Sequence, residues 1–316
     1  MPFSTVLSRR SSLRPGSKGD QSRVIHPGRK KCPLPAELLD RIISLVLAND
    51  QSQSFSIIAP FSLASYQFRQ VALRRWFSIF KISSVAAFTN LCWVDGLYSW
   101  VRQLLCSSSV LLPDPSKLSC FRNLESVTID CWLIGQGKQL QVLKRILPPI
   151  PSTITVLKLT ALSRIDAATL RLIGGTFPRL ETLELSCAER LDYNCCLDCF
   201  EDSASCIIYA PIPRLYSTVA VLGEAFASAL EPLASLEHLF LGVLLSEDDL
   251  GCSLPDPDFD GHERPALDMD AIREKETLAA AVIRERVPSL RSITWGSPVH
   301  VGMRGTDHRS ERVVLG

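Results

Sequence analysis

Two hydrophobic periods divide the chain. From Leu34 to Phe77 the apolar residues recur at helical spacing. Behind Pro33-Leu34-Pro35 come Leu38, Leu39, Ile42, Ile43, Leu45 and Val46, with charge confined to Glu37, Asp40 and Arg41. Pro35 stands where the first turn of a helix tolerates a missing N–H. A second helical segment runs from Phe61 to Phe77 and carries Leu63, Phe68, Val71, Leu73 and Trp76. Residues 48–60 connect the two, and Pro60 is best tolerated at or before the start of the second helix.

Beyond residue 80 the period changes. Five copies of apolar-x-x-apolar-x-apolar appear: Leu124/Val127/Ile129, Ile154/Leu157/Leu159, Leu180/Leu183/Leu185, Leu236/Leu239/Leu241 and Leu290/Ile293/Trp295. A weaker sixth precedes them at Val101/Leu104/Cys106. Alternation over the last three positions of each copy predicts a short strand. The copies start 30, 26, 56 and 54 residues apart, and the last two gaps are about twice 27. A period near 27 is that of a leucine-rich repeat, in which one strand and one helix make each turn of a solenoid. Prolines precede most copies, and upstream of them lie amphipathic helix candidates: Leu140/Leu143/Ile146/Leu147, Leu170/Ile173, Leu222/Ala225/Phe226/Ala229/Leu230 and Leu278/Ala281/Val282/Glu285. No single unit buries its own apolar face, so neighbours must stack. The Asn/Cys-x-Leu continuation of the most regular repeats is missing, so the repeats are irregular.

The two long gaps hold insertions. Residues 187–214 are Cys-rich and acidic. Residues 246–276 carry eleven acids against three bases and read as an exposed acidic loop. Charge is uneven elsewhere too: residues 1–31 hold eight Lys or Arg against the single acid Asp20, although the whole chain is only +1. This Ser-rich segment reads as a disordered basic tail, and residues 297–316 as a C-terminal tail without periodicity. No stretch reads as a membrane span, and no apolar h-region follows Met1. Eleven cysteines without such a leader predict reduced thiols and a cytoplasmic or nuclear location. The basic tail has no aromatic residue after Phe3, so specific nucleic-acid recognition is not expected.

Candidate chemistry is sparse. Cys196-x2-Cys199 has the spacing of half a zinc site, which Cys187 and Cys206 would have to complete. No second Cys-x2-Cys and no nearby His supports it, so unpaired thiols are the expected state and no metal or cofactor is assigned. None of the phosphate-loop, dinucleotide, nucleophile-elbow or His-Glu-x-x-His motifs occurs. The expectation is therefore a binding protein and not an enzyme.

Leu34-Pro35-x-Glu37-Leu38-Leu39, followed by Ser62-Leu63-x-Ser65-x-x-Phe68-Arg69-x-x-Ala72-Leu73, resembles an F-box. The Ala72-Leu73-Arg74-Arg75-Trp76-Phe77 close, Ile82-Ser83-Ser84 and Phe121-Arg122-Asn123-Leu124 are similar to F-box-like proteins of mushroom-forming fungi. The resemblance implies an α/β protein with a short helical F-box at 32–80 and an irregular leucine-rich-repeat solenoid at 81–296. It implies a substrate-recognition adaptor of a Skp–cullin–F-box ubiquitin ligase. Leu34, Pro35, Leu38, Leu39 and Ile42, with Leu63, Phe68 and Leu73, would dock on the Skp-type adaptor. The connection at 48–60 is longer than the usual F-box turn, which implies weaker docking on an unchanged fold. The repeats would bind an unknown protein substrate on their strand face, through Glu125, Ser126, Thr128, Thr155, Val156, Lys158, Glu181, Thr182, Glu184, Glu237, His238 and Phe240. Two rival readings are a repeat scaffold with no ligase role and a zinc-stabilised Cys-rich module.

Overall fold

The computed structural model describes residues 34–48, 54–132, 134, 136–187, 212, 216, 218–243, 245 and 269–296. The basic tail at 1–31, most of both insertions and the C-terminal tail lie outside the described residues.

The helical period gives three helices, α1 (Ala36–Ala48), α2 (Ala59–Ala64) and α3 (Tyr66–Trp76). Pro35 sits just outside α1, and its carbonyl accepts from the N–H groups of Leu38 and Leu39 at 3.1 and 3.2 Å. Pro60 falls in the first turn of α2, where no carbonyl needs its absent N–H. Ser65 caps α3 by accepting from the Phe68 N–H at 3.3 Å. A small core of Ile43, Ile58 and Ala72 joins the helices, with Phe55 edge-on to Trp76 at 5.8 Å. Leu73 and Trp76 also touch the main core, so the helical unit is packed onto the sheet that follows.

Among the described residues seven strands form one parallel sheet: β1 (Ile79–Ile82), β2 (Gln103–Ser107), β3 (Ser126–Asp130), β4 (Val156–Leu162), β5 (Thr182–Cys187), β6 (His238–Gly242) and β7 (Ser292–Trp295). Strand order follows chain order throughout. The fold is therefore a mixed α/β architecture that grows in one direction. Strand order never reverses among these strands, and the crevice that open α/β sheets form at such a reversal has no counterpart here.

The five predicted strands and the weaker sixth are all present, and β1 adds one that the sequence expectations do not include, just after the helical segment. Phe77-Ser78-Ile79-Phe80-Lys81-Ile82 has the same apolar-x-x-apolar-x-apolar pattern as the others. The boundary expected after residue 80 thus runs through β1. Register aligns the copies residue for residue. Phe80, Leu104, Val127, Leu157, Leu183, Leu239 and Ile293 make one buried row. Ile82, Cys106, Ile129, Leu159, Leu185, Leu241 and Trp295 make a second. The first apolar residue of each copy, from Phe77 to Leu290, is buried ahead of its strand. Each fully buried Leu in these rows contributes about 1.5–3 kcal/mol.

The step between copies is made by one backbone device. The carbonyls of Ser78, Arg102, Glu125, Thr155, Glu181 and Glu237 each accept two N–H groups from the next copy, at 2.8–3.1 Å. Among the described residues no strand of the sheet intervenes in the long gaps, because β5 pairs directly with β6 and β6 with β7. Spacing near twice 27 therefore marks insertions and not extra repeats.

Behind the sheet lie α4 (Val85–Leu91), α5 (Leu97–Trp100), α6 (Ser108–Leu111), α7 (Gln136–Ile146), α8 (Ala167–Thr176), α9 (Val219–Leu230) and α10 (Met269–Arg286). The layer is continuous from α6 through α7, α8 and α9 to α10. The contact of α9 with α10 is close because Gly223 lacks a Cβ, which would stand 3.0 Å from that of Val282. Two expectations change here. Residues 269–276, assigned to the acidic loop, are the first turns of α10. Its buried face is Ile272, Glu276, Ala279, Ala280 and Ile283, whereas Leu278, Ala281 and Glu285 are exposed. No helix among the described residues is long and apolar enough to cross a membrane.

Candidate functional site

Two surfaces stand out. The first is the outside of the helical unit. α1 is apolar on two sides: Leu39 and Ile43 point inward at 0% exposure, while Leu38, Ile42 and Leu45 lie on the surface, Leu38 at 52%. Leu34 extends this stripe at one end, and Leu63 (76%) on α2 and Tyr66 (77%) on α3 are exposed as well. The three helices are fixed to one another by polar contacts that leave these side chains outward. Gln67 Nε2 donates to the Leu34 carbonyl at 3.0 Å, and Arg69 Nε to the Ser62 carbonyl at 2.9 Å. Burying six large apolar side chains on two faces needs more mass than so short a unit has, and an apolar patch left in water marks an interaction site.

The residues expected to dock a partner divide accordingly. Leu34, Pro35, Leu38, Ile42 and Leu63 are exposed. Leu39 is wholly buried and Leu73 half-buried between the two cores, so both belong to internal packing. Phe68 is half-buried and stacked on Phe61, ring centroids 6.4 Å apart. Leu45 and Tyr66 were missed. Leu45 was legible, since it continues the Leu34, Leu38, Ile42 stripe at helical spacing. A shallow cavity of about 410 Å³ adjoins the stripe, lined by Glu37, Asp40, Arg41, Ser44, Leu45, Ala48 and Arg75.

The second surface is the open face of the sheet. Register sets Ile79, Gln103, Ser126, Val156, Thr182, His238 and Ser292 in one row and Lys81, Leu105, Thr128, Lys158, Glu184, Phe240 and Thr294 in the next. All are exposed or half-buried. Arg102, Glu125, Thr155, Glu181, Glu237 and Arg291 form a ridge along one side. The predicted strand-face residues Glu125, Thr128, Lys158, Glu181, Glu184, His238 and Phe240 thus share one surface. Its charges largely neutralise one another. Arg102 meets Glu125 at 2.8 Å, Lys158 meets Glu184 at 2.5 Å and Arg291 meets Glu237 at 3.1 Å. His238 Nδ1 lies 2.8 Å from Ser292 Oγ, with its Nε2 4.0 Å from Glu237. Strands one ladder step apart, about 4.8 Å, present these rows at the pitch of an extended surface suited to a broad contact.

Of the described cysteines, Cys120 is exposed and Cys92 half-buried, while Cys106 and Cys131 offer little reactivity. Burial pushes the thiols of Cys106 and Cys131 up to about 12, so both stay protonated and behave as small hydrophobes. Cys187 is buried at the end of β5, and Cys195, Cys196, Cys199 and Cys206 lie outside the described residues. Among the described residues no group of three His, Cys, Asp or Glu is arranged to hold a metal ion. No protein-family model matches the chain, and no curated protein is similar to it.

Proposed function

We propose that the chain is a substrate-recognition adaptor: an F-box docks on a Skp-type protein of a cullin ubiquitin ligase, and an irregular leucine-rich-repeat solenoid presents a protein substrate. The observation that carries this reading is the exposed apolar stripe of Leu34, Leu38, Ile42 and Leu45 with Leu63 and Tyr66, on a helical unit in which, among the described residues, Leu39, Ile43, Ile58 and Ala72 are the fully buried ones. The solenoid reading is supported by seven in-register copies, chain-order strands and the repeated two-donor carbonyls. On this reading the role is binding, and the chemistry of ubiquitin transfer belongs to the assembled ligase. The test is co-expression of the full chain with a Skp-type adaptor. Wild type co-purifies with it. Leu38→Asp folds normally, because residue 38 faces water, and is lost from the complex because docking would bury an unpaired carboxylate. Equal recovery of both chains would reject the docking assignment.

A further inference from the structure

α10 buries a carboxyl group in its apolar face. Glu276 is 8% exposed and lies among Ile272, Ala279, Ala280 and Ile283. It accepts a hydrogen bond from the backbone of Leu245, just beyond β6. Its Oε1 has no hydrogen-bond partner. An ionised carboxylate with one oxygen unsatisfied in an apolar contact is far costlier than the neutral acid.

The neighbouring charges do little to offset that cost. On α10 itself stand Asp270, Arg273, Glu274 and Lys275, and Arg273 Nη1 is 3.4 Å from Asp270. On α9, Glu224 is engaged with Arg286 at 2.7 Å, more than two turns along α10 from Glu276. The described residues of the segment after β6, Val243 and Leu245, carry no charge. Desolvation therefore dominates over the Leu245 hydrogen bond and Arg273, and pushes Glu276 from its ordinary 4.5 up to about 7.

We infer that the first half of α10 is a pH-dependent latch, held against α9 and Leu245 while Glu276 is a neutral acid and loosened when it ionises. The device is independent of what either candidate surface binds. The sign follows from proton counting. Between about 4.5 and 7 the closed form keeps a proton that the open form releases. The closed form is therefore favoured at low pH, loses that advantage as pH rises through this window, and loses no more above it.

Hydrogen–deuterium exchange of the full chain tests the latch, read on peptides covering 269–283 and corrected for intrinsic rates. Between pH 5.5 and 8.5 their protection should fall about thirty-fold, while peptides from β3 and β4 change little. Glu276→Gln is neutral at both pH values and should hold protection within about threefold. A flat wild-type profile would overturn the inference, and so would an equal fall in Glu276→Gln. If that variant does not fold, the wild-type profile from pH 4.5 to 8.5 decides. Loss concentrated between 4.5 and 7 supports the latch, and loss only above pH 8 refutes it.

Discussion

Gln139 is the side chain whose removal should reveal most about how the copies are coupled. It is buried on α7, and its Oε1 accepts from the Ser163 N–H (2.8 Å), the Ser163 hydroxyl (2.7 Å) and the Arg164 N–H (3.1 Å). Its Nε2 donates to the Arg164 carbonyl at 2.7 Å. The loop it holds exists because β4 runs on through a register shift between Leu159 and Leu162, with Ala161 at a left-handed φ of 53°. That conformation costs an alanine about 1 kcal/mol, and the Gln139 bonds offset it. Gln139→Leu keeps the volume and leaves the buried Ser163 N–H without an acceptor, at about 1–3 kcal/mol. The Arg164 groups are half-exposed and regain water, adding about 1 kcal/mol, and the leucine returns a similar amount by burial. The net is about 1–3 kcal/mol, or roughly 3–10 °C in Tm for a fold of this size. Urea and thermal melts followed by circular dichroism measure it. The transition should also broaden, since a stacked array coupled through nearest neighbours loses cooperativity when one junction weakens. A variant within about 0.5 kcal/mol of wild type, with an unchanged transition width, would refute the reasoning.

Other outcomes follow from the same geometry. Gly242 pairs with Ser186, and a Cβ there would stand 2.7 Å from the Ser186 Cα. Gly242→Ala should cost about 1–3 kcal/mol by forcing β5 and β6 apart, read by the same melts. On the open sheet face, a double-mutant cycle on Lys158 and Glu184 should give no more than about 1 kcal/mol of coupling, fading in high salt, because both side chains are part-exposed.

Much of this arrangement was legible because the buried rows repeat. Leu124/Val127/Ile129 and its counterparts each combine a strand period with a fixed lead-in, and a sheet read in register needs no more than that. Phe77–Ile82 has the same pattern and was obscured by its neighbours: Trp76 and Phe77 close a helical run, and aromatic residues serve either period. α10 was harder. In Leu278-Ala279-Ala280-Ala281-Val282 every position is apolar or small, so hydrophobicity does not choose a face; the close approach of Gly223 does. Glu276 was illegible, since an acid in an acid-rich stretch reads as solvated. Leu38 and Leu39 show the same limit at the candidate site. Both are leucines on a helix apolar on two sides, and only the tertiary packing that leaves Leu39 at 0% and Leu38 at 52% exposure separates the buried residue from the one on the surface.

The central claim is that the exposed stripe on α1 docks the chain on a Skp-type adaptor. Its most direct test is titration calorimetry of the purified full chain with that adaptor, comparing wild type, Leu38→Asp and Val221→Asp, an equally exposed apolar position on α9. The account predicts a one-to-one complex for wild type and Val221→Asp, and at least about a hundred-fold loss of affinity for Leu38→Asp, the size expected for truncating and charging a central contact. No measurable binding by wild type, or equal affinity in all three, would contradict it.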